Sequence, residues 1–301
     1  MAAPEFSRIA LIGFGEVGQT LGADLVAAGC RVSAFDPLFA VADSAPSRAQ
    51  DSIRVAVAES PSAAVRDADL VISAVTAASD VDAARSVAPH IAPSTFYLDV
   101  NSVSPRTKVE CGEVIGEAGG YYVEAAVMTP IAPKRVASPM LLGGPHAREF
   151  IARARALGFT GQPFAEEIGR ASATKMCRSV IIKGVESLLC ESLVAARHYG
   201  VEKVVLDSLS DLLPVGDWEK VASYMVSRAL EHGVRRAEEM REAAKTVAEA
   251  GLDPLMASAT AEREQWAAAF RDAHVLRHDL AAMLDAMCGD KPSRTAAGKA
   301  A

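Results

Sequence analysis

The segment Arg8–Gly22 constrains the fold of this 301-residue chain more than any other segment does. An apolar run, Ile9–Ile12, leads directly into Gly13-x-Gly15-x-x-Gly18, and an amphipathic stretch and a second apolar run follow. This order predicts a strand, a tight turn, a helix and a second strand. It is typical of the first βαβ unit of a dinucleotide-binding domain.

Each glycine of the turn has its own expected task. Gly13 permits the sharp turn, Gly15 allows a pyrophosphate to approach the backbone, and Gly18 lets the helix pack closely against the strand. The helix N-terminus then offers unpaired N–H groups and a partial positive charge to phosphates. The predicted phosphate-binding residues are Gly13, Phe14, Gly15, Glu16, Val17 and Gly18.

A single acid, Asp36, ends the second apolar run. A carboxylate at this position accepts hydrogen bonds from an adenosine ribose and repels a 2′-phosphate. Residues 37–39 include no arginine that could hold such a phosphate. NAD is therefore predicted in preference to NADP, with its adenine near Val75 and Thr76.

Composition sets the broad class of the protein. Half of the residues are apolar, which allows a large core, and the length suggests two domains. The formal net charge of −7 argues against nucleic acid as a partner. The five cysteines are scattered without C-x-x-C spacing and predict reduced thiols. With neither a signal peptide nor a membrane-spanning run in the sequence, we expect a cytoplasmic protein without a membrane partner.

The first half of the chain alternates apolar runs with helical patterns. These repeated units predict an α/β domain over residues 1–167, a Rossmann-type doubly wound sheet with ligands at the carboxyl ends of its strands. Beyond the first two strands, the predicted strands are Ser52–Ala58, Leu70–Val75, Phe96–Val100, Tyr121–Ala126, Met140–Gly143 and a last one at Phe164.

One long helical pattern without proline covers Ala171–His198. A helix of ~26 residues spans ~39 Å, which is too long to pack on one small sheet, so we interpret it as a connection between two domains. The pattern stays helical after Val201. The prediction is an interdomain helix and an all-helical domain over residues 168–290, followed by a disordered tail at 291–301.

The long helix begins with the motif Gly169-x-x-x-x-x-Lys175. Together with the glycine turn before it and the helical region after it, this motif resembles the β-hydroxyacid dehydrogenase superfamily. That superfamily includes 3-hydroxyisobutyrate and 6-phosphogluconate dehydrogenases. The resemblance covers nearly the whole chain, and it is strongest to an uncharacterised branch with the pattern H-x-x-R-R-A-x-E-M, here His232–Met240. It implies that Lys175 is the general acid/base and that the protein is a homodimer.

The chemistry of alcohol oxidation is consistent with such a lysine. A base must take the hydroxyl proton while hydride leaves carbon for the nicotinamide. Lysine with its ordinary pKa of about 10.4 is a poor base at neutral pH. Burial beside a cationic nicotinamide lowers the pKa of an amine, and the ammonium form polarises a carbonyl in the reverse direction.

The chain departs from the family pattern around the substrate. The family asparagine one turn after the lysine is Ser179 here, a second candidate catalytic residue. The D-x-S-T motif falls on Asp99–Ser102. Within it, Asn101 is a candidate for cofactor binding and Ser102 for substrate binding.

Two further family motifs have lost their usual residues. The A-P-V-S-G-G motif falls on Ala125–Pro130, where Met128 and Thr129 become candidate substrate contacts. The K-D-L motif falls on Glu238–Met240, so an acid replaces its lysine. A carboxylate substrate would then need other cations, and the candidates are Lys134, Arg135, Arg178, Lys183, His232 and Arg235.

The resemblance therefore predicts NAD-dependent hydride transfer with a small hydroxy acid or alcohol. Oxidative decarboxylation of a 3-hydroxy acid, imine reduction and a non-catalytic NAD-binding regulator stay open as alternatives. No G-x-S-x-G motif is present, which argues against a serine hydrolase. His274 and His278 have a zinc-like spacing on an expected helix, but no third ligand is near, so no metal is predicted.

Overall fold

The computed structural model describes residues 6–209 and 216–289. The chain forms two compact units, and the boundary between them lies between Cys177 and Arg178. The tail expected at 291–301 lies outside the described residues.

The first unit is built on one mostly parallel sheet. Its strands are β1 (Arg8–Ile12), β2 (Arg31–Phe35), β3 (Ala56–Val57), β4 (Leu70–Ser73), β5 (Phe96–Asp99), β6 (Tyr121–Val127), β7 (Met140–Gly143) and β8 (Gln162–Ala165). Their order is β3-β2-β1-β4-β5-β6-β7-β8. Strands β1 to β6 pair in parallel, β7 is antiparallel to β6, and β8 is parallel to β7. The predicted doubly wound α/β sheet is confirmed.

The helices of this unit connect the strands. They are α1 (Glu16–Ala27), α2 (Ala45–Ile53), α3 (Pro61–Val65), α4 (Asp80–Val87), α5 (Pro105–Glu117), α6 (Ile131–Lys134) and α7 (Ala147–Ala154). Every residue of β4 and β5 is buried, because helices cover both faces of the sheet. The strand order reverses between β1 and β4, and such a switch point opens a crevice at the carboxyl edge.

The strand predicted over Ser52–Ala58 is wrong for most of its length. The Ser44 hydroxyl accepts a hydrogen bond from Ser47 N and starts α2, which runs on to Ile53. Only Ala56–Val57 pairs with β2. The helix cap therefore outweighs the β propensity of the run that follows it.

Helix α8 (Arg170–Tyr199) is 30 residues long, and its ends lie within one residue of the predicted ones. It begins in the first unit and continues into the second. The other helices of the second unit are α9 (Glu202–Leu209), α10 (Trp218–Glu249), α11 (Leu255–Ala267), the 3₁₀ helix Ala268–Leu276 and α12 (Leu280–Gly289). Between residues 178 and 289, the described part of this unit contains no strand, as predicted.

The second unit has its own apolar core. Leu193, Val226 and Leu230 are fully buried there, together with Met283 and Leu284 of the last helix. Of the helices described, none has the length and apolar character that a membrane crossing needs.

Candidate active site

The glycine turn connects β1 to α1 at the carboxyl edge of the sheet. Gly13 has φ +93°, and a Cβ there would lie 2.3 Å from the Ala74 carbonyl oxygen. A Cβ on Gly18 would lie 2.3 Å from the Gly13 carbonyl oxygen. The fold itself therefore requires both residues to be glycine.

Gly15 lies in a different environment. Nothing lies within 4 Å of the place a Cβ would take, and its φ of −73° is open to any residue. Gly15 is the N-cap of α1, and no side chain caps this helix. The first backbone N–H groups of α1 thus receive no side-chain cap, and the space beside Gly15 is open, an arrangement that fits a pyrophosphate.

Asp36 follows β2 beside this turn. One carboxylate oxygen accepts a hydrogen bond from Phe14 N at 2.7 Å, and the other accepts from Leu38 N at 2.9 Å. Each oxygen keeps a second lone pair. The carboxylate is therefore fixed where a ribose next to the pyrophosphate would need its acceptor.

Asn101 joins the loops that follow β4 and β5. Its Oδ1 accepts from Val75 N at 2.7 Å, and its Nδ2 donates to Ser73 Oγ at 2.9 Å and to Asp80 Oδ1 at 2.7 Å. The residue is buried, and the protein already uses its amide group. Asn101 thus shapes the Val75–Thr76 loop, which is the expected adenine site.

Lys175 and Ser102 meet at the same edge of the sheet. Lys175 Nζ donates a hydrogen bond to Ser102 Oγ at 2.6 Å, and both side chains are half-buried. An amine is thereby held against a hydroxyl in the loop that follows β5. These two groups, one able to hold a proton and one able to relay it, fit acid–base chemistry.

Glu124 fixes the start of the helix that carries Lys175. One of its carboxylate oxygens accepts from Gly169 N at 2.7 Å and the other from Ser172 N at 2.5 Å. Ser172 Oγ also donates to the Val103 carbonyl oxygen. Burial raises the pKa of Glu124, whereas the two backbone N–H groups favour its charged form. The sequence analysis missed this residue, and its one signal is an acid inside an apolar strand.

A second buried carboxylate, Asp99, lies on the neighbouring strand. Lys108 Nζ is 2.6 Å from Asp99 Oδ1, and this ion pair is almost inaccessible to solvent. Tyr122 donates its hydroxyl to Asp99 Oδ2 at 2.7 Å, and Asn101 N donates to Oδ1 at 3.0 Å. These contacts hold the turn that leads to Ser102.

Asp80 lies beside this ion pair. Burial and the negative charge of Asp99 raise the pKa of Asp80 to about 8. Ligand atoms of Asp80, Asp99 and Cys111 also lie within 4.8 Å of one another. Because the Lys108 ammonium already supplies a positive charge there, the group balances its charge without a metal ion.

Replacing Asp80 with asparagine is expected to flatten the pH dependence of stability. The native state keeps the Asp80 proton up to about pH 8, whereas the unfolded chain releases it near pH 3.8. The native state therefore binds more protons between these values, and stability falls as the pH rises through that window. Between pH 5 and pH 8 the native protein should lose about 3–4 kcal/mol more unfolding free energy than Asp80→Asn, because each pH unit in this window changes the difference by about 1.4 kcal/mol.

Urea unfolding at several pH values measures this difference. Asp82→Asn removes an exposed acid of the same helix and is the matched control. Equal pH slopes for the native protein and Asp80→Asn would rule out a buried proton on Asp80.

The loop after β6 contains the next predicted contacts. Met128 is half-buried and its N–H donates to the Pro139 carbonyl oxygen, while Thr129 is exposed at the edge of the sheet. Arg135 Nε is bound to Asp24 Oδ1 at 2.7 Å. Arg135 is therefore already paired with an acid, and its role as a cation for the substrate stays a prediction.

Ser179 and Lys183 lie on α8 within the second unit. Ser179 is buried and accepts a hydrogen bond from Lys183 Nζ at 3.3 Å. Lys183 Nζ also lies 2.8 Å from Glu239, which Arg235 reaches at 2.7 Å. Both cations are therefore paired with the same carboxylate, a pairing that the sequence analysis missed.

Three more charged groups of this unit lie in its interior. Arg236 and Glu186 form a buried ion pair. Glu264 is fully buried, and desolvation raises its pKa to about 7. Neither carboxylate carries a signal in the sequence beyond its place on a helix.

Two histidines of the second unit lie beside one acid, Glu231. His232 Nε2 is 3.1 Å and His274 Nε2 is 3.4 Å from Glu231 Oε2. His274 lies in the 3₁₀ helix Ala268–Leu276 and His278 follows that helix. The expectation that both histidines lie on one α-helix is therefore wrong. A 3₁₀ helix has about three residues per turn, so residues four apart do not lie on the same face.

Comparisons with known proteins agree with this geometry. Residues 8–155 match the NAD binding domain of 6-phosphogluconate dehydrogenase, and residues 196–267 match a domain of unknown function. A conserved hypothetical protein from Sinorhizobium meliloti 1021 is 34% identical, with a TM-score of 0.73, over 94% of this chain and 96% of that protein.

Two further structures extend the likeness. A conserved protein of unknown function, described as structurally similar to 3-hydroxyacid dehydrogenases, is 30% identical with a TM-score of 0.69, over 90% of this chain and 98% of its own. Mycobacterium tuberculosis 3-hydroxyisobutyrate dehydrogenase with L-serine has the same fold at 22% identity, with a TM-score of 0.69, over 93% of this chain and 98% of its own. The chain therefore belongs to the β-hydroxyacid dehydrogenase superfamily, and its N-terminal domain is an NAD-binding domain like that of 6-phosphogluconate dehydrogenase.

Proposed function

We propose that this protein is an NAD-dependent oxidoreductase in which hydride passes between NAD and a small hydroxy acid or alcohol. The observation that carries the proposal is the 2.6 Å contact between Lys175 Nζ and Ser102 Oγ. It lies at the edge of the sheet that also holds the glycine turn and Asp36. Ligands of open α/β sheets bind at this edge, so cofactor binding and proton transfer share one region.

In this proposal, different residues bind the cofactor and transfer the proton. The backbone of residues 13–18 binds the pyrophosphate, Asp36 binds the ribose and the Val75–Thr76 loop contacts the adenine. When bound, NAD⁺ supplies the acceptor for the hydride. Lys175 in its neutral form takes the hydroxyl proton of the substrate, and as an ammonium it returns that proton to a carbonyl.

Ser102 orients the substrate in this proposal. Because its oxygen accepts a hydrogen bond from Lys175, its own O–H is free to donate to the substrate oxygen. We also propose substrate contacts from Met128 and Thr129, which follow β6. The predicted contacts from Ser179, Lys183 and His232, all in the second unit, stay proposals.

A substrate screen tests the function. Small hydroxy acids, L-serine among them, and simple alcohols are offered with NAD⁺ or NADP⁺, and absorbance of the reduced cofactor is followed. Release of carbon dioxide with NADH would indicate oxidative decarboxylation. Turnover of cyclic imines with NADH would indicate imine reduction, and NADH binding without any turnover would favour the regulator.

We propose further that NAD is preferred over NADP. Replacing Asp36 with asparagine removes the charge that repels a 2′-phosphate and weakens the acceptor for the ribose hydroxyls. The ratio of NADPH to NADH dissociation constants should fall by roughly 10-fold to 100-fold, equal to ~1.4–2.8 kcal/mol. Fluorescence titration with both cofactors measures it. Glu59→Gln, an exposed acid of the same unit, is the control. An unchanged ratio contradicts the role of Asp36.

The homodimer implied by the family resemblance is also a proposal. Ile181 and Leu188 lie on α8 and are 68% and 58% exposed. Apolar side chains of this size on one helix face leave surface that a second copy would cover.

A further inference from the structure

Two buried carboxylates lie side by side beneath the candidate active site. Asp99 on β5 and Glu124 on β6 are paired in register, and both side chains are fully buried. Paired residues of adjacent strands point to the same face of a sheet. The Lys108 ammonium is paired with Asp99 and also acts on the charge of Glu124.

Each carboxylate holds one partner of the Lys175–Ser102 contact. Asp99 accepts from Asn101 N and so fixes the turn that ends in Ser102. Glu124 accepts from the first N–H groups of α8, one helical turn before Lys175. A negative charge at a helix N-terminus also stabilises the helix through its dipole.

The sheet leaves a specific space for the Glu124 carboxylate. Gly143 on β7 is its partner across the antiparallel pair. A Cβ on Gly143 would lie 2.4 Å from Glu124 Oε2. The missing side chain at position 143 therefore allows the carboxylate to reach α8.

We propose that Glu124 is a positioning residue that sets the distance between Lys175 and Ser102. It does so by fixing the N-terminus of α8 to the sheet, next to the Asp99 that fixes Ser102. The inference rests on the proposed function for its catalytic consequence, whereas its structural part stands alone.

Glutamine at position 124 is the most informative change. Its side-chain oxygen can replace one carboxylate acceptor, but its NH₂ group would meet the second backbone N–H of α8, donor against donor. The N-terminus of α8 then loses one of its two hydrogen bonds to residue 124, together with the negative charge. Lys175 should leave Ser102 for part of the time and become more reactive.

The test measures the reactivity of Lys175 directly. Native protein, Glu124→Gln and Glu117→Gln are treated with a limiting amine-acetylating reagent, and acetylation of Lys175 is quantified by mass spectrometry. Glu117 is an exposed acid of the same unit and serves as the control. Labelling of Lys175 should rise at least threefold in Glu124→Gln only, with NADH affinity within twofold of native.

Turnover of the substrate that the screen identifies gives the second readout. In Glu124→Gln, kcat should fall at least tenfold while KM changes less than twofold, a split that general loosening of the fold would not produce. If Lys175→Met destroys turnover but Glu124→Gln changes neither labelling nor kcat, the inference is wrong and the proposed function stands. If Lys175→Met keeps turnover, the proposed role of Lys175 in proton transfer fails, and the labelling still decides whether Glu124 positions Lys175.

A second variant covers the case in which Glu124→Gln does not fold. Gly143→Ala keeps the carboxylate and its charge but pushes it away from α8. Gly143→Ala should increase acetylation of Lys175, as Glu124→Gln should. Unchanged labelling in a folded Gly143→Ala protein contradicts the proposal.

Discussion

Replacing Lys175 with methionine should lower turnover by about 10²–10⁴-fold and leave NADH affinity within about twofold. Methionine keeps the length and apolar stem of lysine but cannot accept or return a proton. The Lys175 amine lies against Ser102, whereas the glycine turn and Asp36, which we propose bind the cofactor, lie in other loops. Lys175→Met should therefore lose turnover while its affinity for NADH stays near that of the native protein.

Steady-state kinetics and fluorescence titration with NADH measure the two effects. Lys203→Met removes an exposed lysine of α9 and is the matched control, which should behave like the native protein. Retained turnover in Lys175→Met would remove the amine from the mechanism. Lost NADH affinity would mean that Lys175 acts in cofactor binding instead.

Alanine at Gly13 should destabilise the protein and alanine at Gly15 should not, although both should impair NADH binding. Gly15→Ala adds a methyl group where nothing lies within 4 Å, so the fold should be unaffected. That methyl group would occupy the space of the pyrophosphate, and NADH affinity should fall roughly 10-fold to 100-fold, or ~1.4–2.8 kcal/mol.

Gly13→Ala meets two obstacles within the protein itself. The residue has φ +93°, and its Cβ would lie 2.3 Å from the Ala74 carbonyl oxygen. Strain and overlap of this kind cost about 2–4 kcal/mol of unfolding free energy. Thermal unfolding and NADH titration of the two variants test the contrast, with Gly216→Ala as a control at an open glycine. Equal stability of both variants, or native NADH affinity in Gly15→Ala, contradicts the prediction.

The sequence predicts those parts of the fold and site that depend on local patterns. The glycine turn, the acid after β2 and the start of α8 are all set by residues close together in the chain. Lys175 was identified through a motif on a single helix. The prediction of α8 was accurate to one residue at each end, because helical periodicity and capping signals are local.

The partners of buried charges could not be predicted in the same way. Glu124 and Asp99 lie in apolar strands, and their roles depend on the register between β5 and β6 and on the antiparallel glycine of β7. Lys183 and Glu239 meet only because α8 and α10 pack together within the second unit. Such contacts join distant segments, and a single sequence contains no signal for them.

The Lys108–Asp99 ion pair links the evolutionary histories of two positions. Loss of one partner leaves an uncompensated charge in the interior, which costs about 3–5 kcal/mol. The two positions therefore cannot mutate one at a time without endangering the fold. We expect homologues that lack the lysine to lack the aspartate as well. In such homologues, contacts other than those of the aspartate would hold the turn that follows β5.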